Sequence, residues 1–481
     1  MNTFRKPVER ARCARIAGRA ALLLAVAAQG GCGAASSDEE ASTVQSPLYM
    51  DGAKWPASAS GVHVVPICFD QPSTQRADYL TVKTNMQRAA NRTWGAVANL
   101  EFVEFGPCTT TAGHIVVTIW DLAGGQSAGL GYPGQDTRPL RINSNANEAL
   151  YAHELGHALG FRHEFDRPDF DDGSGNCREP NKVAGKDTLG TAEDDRKSIM
   201  TYSYCSESLG TLSQWDIVGV QTAYGRKKAG SVVGKDNHCL DVPGASFVDQ
   251  NVPTVYDCHG GTNQIWKHAS DDSLSITSGS ITKCLDVPAA NNADGTSPTL
   301  YGCHGGTNQK WALKNVAIRG LGGKCLERAG GSLANGTAVR IGACSQTWTF
   351  NSAGEIRTGD GGSGSKCIDV SGGTATNGTP LTLYDCHGGT NQKFTMSQGQ
   401  LRVQGKCMDV NYGSPNDGTP VGVYDCGTTT KLNQQWNTFG PLVTLGKCLQ
   451  LPAVNVNNGD TPALASCGGL SSSRQNWEYY W

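Results

Sequence analysis

The sequence is poor in charge and in aromatics, and beyond its first thirty residues it has no long apolar run. Charged residues make up 17% of 481, and the formal net charge is −3. That balance gives no reason to expect nucleic acid or an anionic membrane as partner. Aromatics are 7% of the chain while glycines number 61, which favours turn-rich β structure over long helices. After Ala28 nothing is long and apolar enough to span a bilayer, so no transmembrane segment is expected in the mature chain. The length excludes a single core and suggests two to four domains. Cysteine, by contrast, is plentiful: 18 residues point to an oxidising compartment.

The N-terminus agrees with that compartment. Arg5, Lys6, Arg10, Arg12, Arg15 and Arg19 precede an apolar run from Ala20 to Ala28. By length and flanks, residues 1–35 form a signal peptide. Cleavage could follow Gly33-Ala34-Ala35. Alternatively, Gly30-Gly31-Cys32 resembles a bacterial lipoprotein box, which would make Cys32 a lipid anchor. The chain is therefore expected to be secreted, or to sit on the outer surface of a bacterium as a lipoprotein. Residues 36–54 are assigned to a linker or short pro-segment, because 36–48 is polar and low in apolar content.

The centre of the chain carries HELGHALGFRHE, His153 to Glu164. On a helix each residue turns about 100°, so His153 and His157 share a face and could hold one metal ion. Glu154 stands beside them, placed to act on a water that the metal activates. His163 could not join if the helix continued, being rotated by about 280° from His153. The chain must turn back, and Gly160 can take the positive-φ conformation that stops a helix. Three neutral nitrogens leave an open position, unlike a closed structural zinc site.

Around this motif the pattern predicts an α+β domain over 55–227. Strands are expected at 62–68, 100–105, 114–120 and 139–143, and a long helix over 78–97. The glycine-rich stretch 124–134 is a candidate edge strand for pairing with an extended peptide. A last helix begins at Ser213, with Asp216 three residues on as a near capping box and Ile217, Val220 and Tyr224 on one face.

From about residue 230 a repeat appears. Cysteine pairs 239/258, 284/303, 325/344, 367/386, 407/426 and 448/467 all have a separation of 19. Repeat starts lie 45, 41, 42, 40 and 41 residues apart, and each repeat opens like Cys239-Leu240-Asp241-Val242 and closes like Asn263-Gln264-Ile265-Trp266. A period near forty could also suggest a propeller.

Two resemblances sharpen these readings. HExxHxxGxxH is the zinc signature of the metzincin metalloproteases. Glu164 after the third histidine, the Arg167-Pro168-Asp169 that follows, Ser198-Ile199-Met200-Thr201-Tyr202 and Trp55-Pro56 resemble the astacin family within that group. The resemblance implies a zinc endopeptidase binding one Zn2+ through His153, His157 and His163, with Glu154 as general base. It implies that Met200 forms an apolar floor under the metal, that Tyr202 is a switchable ligand steadying the oxyanion, and that Glu164 anchors the trimmed N-terminus. Thr201 stands where astacins usually have histidine. Asp51 is either a temporary metal ligand or an ordinary turn residue. Cys68, Cys108, Cys177 and Cys205 allow three pairings, of which the sequence-local Cys68–Cys108 with Cys177–Cys205 is favoured.

Cys-Leu-Asp-Val with a closing Gln-x-Trp resembles the ricin-type β-trefoil lectin family, whose fold takes three repeats. Six repeats then make two all-β trefoils, expected at 228–350 and 351–481, each bridged within its repeats by Cys239, Cys258, Cys284, Cys303, Cys325, Cys344, Cys367, Cys386, Cys407, Cys426, Cys448 and Cys467. Trp266, Trp311, Trp348, Trp436 and Trp477, with Phe394 as substitute, are expected to be core. Sugar binding needs a carboxylate, an aromatic face and an amide. These are Asp241, Tyr256 and Asn263 in repeat one; Asp286, Tyr301 and Asn308 in repeat two; Asp369, Tyr384 and Asn391 in repeat four; and Asp409, Tyr424 and Asn433 in repeat five. His259, His304 and His387 add a possible hydrogen bond. Repeats three (Glu327, Gly342) and six (Gln450, Ala465) are expected to be empty, and their place in the order suggests a division near 351. The expected partners are a protein or glycoprotein substrate and a glycan bound by avidity. A lectin or adhesin with a silent protease domain is the rival reading.

Overall fold

The computed structural model describes residues 48–166, 187–188, 197–201, 210–453 and 455–481. The expectations for residues 1–47, including Cys32, and those for Arg167-Pro168-Asp169, Tyr202 and the Cys177–Cys205 pair lie outside the described residues. Among the described residues no helix is long and apolar enough to cross a membrane.

The first domain is a five-stranded sheet carrying helices. Its strands are β1 (His63–Phe69), β2 (Leu100–Pro107), β3 (Ile115–Trp120), β4 (Gly125–Ser127) and β5 (Arg138–Asn143), and its main helices are α1 (Tyr79–Arg92), α2 (Glu148–Ala158) and α3 (Gln214–Tyr224). The sheet order is β2-β1-β3-β5-β4, parallel except for β4, the short strand at one edge. Alternation in β3 buries Ile115, Val117 and Ile119, while Val82, Met86, Ala89 and Ala90 bury one face of α1. Thr93 leaves helical geometry (φ −108°, ψ −102°), so the helix expected over 78–97 stops at Arg92 and restarts as one turn, Trp94–Val97. Cys68–Cys108 ties β1 to the end of β2, as favoured.

Part of the stretch expected as a linker departs from expectation: Leu48 and Met50 belong to the core, while Ala53 and Lys54 are exposed. Leu48, Met50 and the following Trp55 are all buried, and the amides of Asp51 and Gly52 both donate to Gly160 O, at 3.0 and 3.2 Å. The polar composition of 36–47 hid the apolar spacing that begins at Leu48. The Asp51 carboxylate is held by the guanidinium of Arg162, whose Nε donates at 2.6 Å, so Asp51 is engaged away from the three histidines.

The lectin half has two cores, but they do not divide at 350/351. Trp266, Trp311 and Trp477, from repeats one, two and six, share one core; Trp348, Phe394 and Trp436, from repeats three, four and five, share the other. Backbone bonds between repeats close each ring of three. Leu300 N donates to Asn251 O (2.7 Å), Leu464 N to Thr296 O (2.8 Å) and Val255 N to Asp460 O (2.9 Å). The second ring closes through Leu383 N to Thr337 O (2.8 Å), Gly378 N to Val423 O (2.9 Å) and Ile341 N to Thr419 O (3.0 Å). One trefoil is thus inserted between the second and sixth repeats of the other. All six repeats carry the same core residues, so the sequence does not say which three will close. The connecting strands decide. The eight-residue strand Asn437–Thr444 pairs with Ala317–Arg319 through its first half and with Ala312–Leu313 through its second, so the outgoing and returning chain run side by side. The six repeat disulfides all form as expected.

The peptidase-like domain is seated on both trefoils. Arg92 pairs with Asp236 at 2.6 Å, Ser60 Oγ donates to His259 O at 2.8 Å, and Arg226 Nη2 donates to Asn437 Oδ1 at 2.5 Å. Lys227 is buried in this junction with Nζ donating to Leu100 O at 3.2 Å, and burial pushes its amine down to about 7.

Candidate functional site

Helix α2 starts at Asn147, whose side chain accepts from Leu150 N at 2.9 Å, a cap that typically contributes about 1 kcal/mol. The helix ends at Ala158, and Gly160 takes a φ of 105°. A Cβ there would sit 3.1 Å from Met50 Cε and 3.3 Å from Gly52 O, so glycine is needed for space as well as conformation. The turn brings His163 back to the helix. Its Nε2 lies 3.3 Å from His153 Nε2 and 3.1 Å from His157 Nε2.

The hydrogen bonds behind these rings decide what the cluster can hold. His153 Nδ1 is 2.7 Å from Ile199 O, and His157 Nδ1 is 2.7 Å from Phe161 O. A carbonyl can only accept, so both Nδ1 atoms carry the proton and both Nε2 atoms present lone pairs. With His163 Nε2 turned toward those two lone pairs, the three ring nitrogens converge in the arrangement that a bound cation would take. Burial lowers the pKa of His153, His157 and His163, the last to about 3, which keeps all three neutral. The donor set therefore fits a metal ion. It is the one group of three or more metal-competent side chains found among the described residues.

Glu154 follows His153 and is buried at the wall of the cleft. Burial raises its carboxyl to about 7, and Oε2 has no hydrogen-bond partner among the described residues. Strand β4 lies against it: a Cβ on Gly125 would fall 2.6 Å from Glu154 Cγ. The cleft is lined by Gly125, Gln126, Ser127, Asn147 and Thr201 along with the histidines and Glu154. Met200 is fully buried, and a Cβ on Gly156 would meet its Sδ at 2.3 Å, so the thioether lies directly against α2 one residue before His157. Glu164 is fully buried, with its amide donating to Met200 O at 3.1 Å.

The lectin half repeats one device. In repeat two, Asp286 Oδ2 accepts from Asn308 Nδ2 (2.9 Å) and Gln309 Nε2 (2.9 Å), with His304 Nε2 at 3.2 Å. The backbone of Gly306 donates to His304 Nδ1 at 3.2 Å, which fixes the Nε2–H tautomer that points at the aspartate. Repeats one and four reproduce the arrangement at Asp241 and Asp369. In all three the aspartate is buried and Oδ1 is left over, while Tyr256, Tyr301 and Tyr384 are 45%, 43% and 46% exposed. The expected residues meet at these three sites. The glutamine of Gln-x-Trp, given no role from the sequence, is buried and holds the site aspartate. Gln250, from the neighbouring repeat, joins Asp286, Tyr301, His304 and Asn308 around the repeat-two cavity.

Repeat five is built differently. Asn433 Nδ2 takes Asp409 Oδ1 at 2.9 Å, Gln434 takes Oδ2 at 2.8 Å, and Lys431 Nζ lies 3.5 Å from Oδ2. Both carboxylate oxygens are thus engaged, Asn433 is buried, and Tyr424 is half-buried. In repeat three, Glu327 Oε1 accepts from Ser345 N and Oγ at 3.0 and 2.8 Å, and its carboxylate fills the space where a side chain at Gly342 would begin. In repeat six Gln450 is bonded to Gln475 at 2.9 Å.

Comparison with known proteins follows the same division. Residues 57–224 match the family model described as dual-action HEIGH metallo-peptidase. Residues 228–319 and 360–442 match the ricin-type beta-trefoil lectin domain. No curated protein matches the chain. Among solved structures, the zinc-protease hatching enzyme HCE-1 of Oryzias latipes is 23% identical, over 37% of this chain and 99% of that one, with a TM-score of 0.28. The agglutinin of Abrus precatorius is 16% identical, over 43% and 95%, with a TM-score of 0.21. A non-toxic type II RIP homologue from Momordica charantia is 18% identical, over 44% and 96%, with a TM-score of 0.23. Residues 57–224 are thus a metallopeptidase domain of the HEIGH family, joined in one chain to ricin-type β-trefoil lectin domains.

Proposed function

We propose that the chain is a secreted zinc endopeptidase of astacin-like design, directed to glycans or glycoproteins by its trefoils. The observation that carries this is the convergence of the Nε2 atoms of His153, His157 and His163 beside a buried, unpartnered Glu154 oxygen. Zinc held by His153, His157 and His163 would supply Lewis acidity, polarising the scissile carbonyl and activating water for attack. Strand β4 stands at the edge of the sheet beside the cleft, where an extended peptide can pair. Glu154 accepts the attacking water's proton at Oε2 and passes it to the leaving amine. Tyr202, outside the described residues, is assigned to the oxyanion, and Glu164 to anchoring the N-terminus of the mature chain.

The sugar sites are assigned to repeats one, two and four. There Asp241, Asp286 and Asp369 each keep Oδ1 for a sugar hydroxyl, and Tyr256, Tyr301 and Tyr384 offer an exposed face for stacking. Repeat five, with both Asp409 oxygens engaged, is closed. Digestion of casein with and without a chelator, together with a glycan array probed with the Glu154→Gln chain, tests both halves. Chelator-insensitive digestion or an array without a hit would each remove one half of the reading.

A further inference from the structure

Helix α3 closes the metallopeptidase domain, yet it belongs to two cores. Val220, Ala223 and Tyr224 pack with the peptidase interior. Trp215 and Val218, one turn earlier on the other side, pack with Ile318, Leu321 and Trp348 in the core of the inserted trefoil. The contact is close: Gln214 Nε2 donates to Asn416 Oδ1 at 2.8 Å, and a Cβ on Gly322 would lie 3.0 Å from Gln214 O. Between those two faces sits Asp216, which is 1% exposed.

The carboxylate of Asp216 does more than cap its helix. Oδ2 accepts from Ser213 N at 2.9 Å, completing the capping box, and also from Ile199 N at 2.8 Å. Oδ1 accepts from Ser198 Oγ at 2.6 Å, and that hydroxyl oxygen in turn accepts from Met200 N at 3.0 Å. Ile199 then offers its carbonyl to His153 Nδ1 at 2.7 Å, the bond that fixes the ring's tautomer and direction. An unbroken series of contacts runs from the lectin core through Trp215 and Val218, Asp216 and the Ser198–Ile199 turn to a metal ligand.

We propose that the inserted trefoil is part of the metal site's support, with Asp216 as the positioning residue through which it holds His153. This rests on the metal reading above. The lectin half is then required for a well-formed catalytic centre as well as for binding sugar, and the helix that joins them is the shared member.

The test uses the full-length chain, with zinc affinity and the visible spectrum of the cobalt-substituted protein as readouts. Asp216→Ala is expected to weaken zinc binding by about 10–100-fold, the usual effect of losing such outer support, and to change the cobalt spectrum. Asp216→Asn, which keeps one acceptor oxygen, recovers part of the loss. Asn416→Ala, made on the lectin side, removes the bond to Gln214 and lowers zinc affinity in the same direction by a smaller factor. Glycan binding at repeats one, two and four stays unchanged in each. If Asp216→Ala fails to fold, Ser198→Ala removes a single bond to the same carboxylate and reports a smaller loss. Wild-type zinc affinity and an unchanged spectrum in Asp216→Ala, or in Ser198→Ala where the former cannot be made, overturn the proposal. Unchanged affinity in Asn416→Ala overturns the trefoil's part in it. A parent chain that binds no zinc at all refutes the metal reading instead.

Discussion

The metallopeptidase domain builds one site once, and the lectin half builds one arrangement three times among six repeats. At the metal cluster three segments must meet: helix α2, the turn after Gly160 and the Ser198–Thr201 stretch. Each contributes something the others cannot replace. In the lectin half four of the six repeats carry their own aspartate, tyrosine, amide and glutamine, so one repeat can lack the set while its neighbours keep it. Repeats three and six lack the aspartate and the tyrosine with their tryptophans still buried. The difference teaches where redundancy lies. A single substitution can silence the peptidase, whereas silencing sugar binding takes several.

That contrast can be broken or sharpened by substitution. The largest effect is expected from Glu154→Gln, which removes the proton acceptor and leaves the three histidines: proteolysis falls by about 10³-fold with zinc content retained. Near-normal turnover would show that the site is not built around this carboxylate. Next is a stepwise loss in the lectin half. With Asp241→Ala and Asp286→Ala in one chain, glycan binding measured by calorimetry is expected to drop to a single equivalent, from repeat four. Adding Asp369→Ala abolishes it. Binding that survives all three changes would show that repeat five is open despite Lys431. A smaller effect is expected from Gln309→Leu, which frees Asp286 from one of its two amide donors: affinity at repeat two falls by about one order of magnitude, in line with the loss of a hydrogen bond to a charged group. The smallest is Trp311→Phe. The indole Nε1 donates to Leu285 O at 2.9 Å, and losing that bond costs about 1–3 kcal/mol of stability, read by chemical denaturation, with glycan affinity nearly unchanged.

The motif residues were legible because their chemistry depends on local spacing. His153, Glu154 and His157 lie on one helix, and Gly160 announces the turn that returns His163. The repeat disulfides, the buried tryptophans and the residues that meet around Asp241, Asp286 and Asp369 were legible for a similar reason, since each repeat restates its parts within about forty residues. Four things were not. The order in which repeats close into trefoils is set by the pairing of Asn437–Thr444 with strands more than a hundred residues earlier, and six equivalent repeats carry no label for it. The state of repeat five depends on which oxygen of Asp409 its asparagine takes and on Lys431 reaching the other. Leu48 and Met50 were masked by the polar run before them. The capping box at Ser213 and Asp216 was visible, but the second use of that carboxylate at Ile199 was not, because it joins residues that only the fold brings together.

Titration of zinc into the chelator-stripped full-length chain tests the central claim most directly. The account predicts one equivalent per chain, abolished by His163→Ala while glycan binding persists. A chain that takes up no zinc, or that keeps its one equivalent without His163, would contradict it.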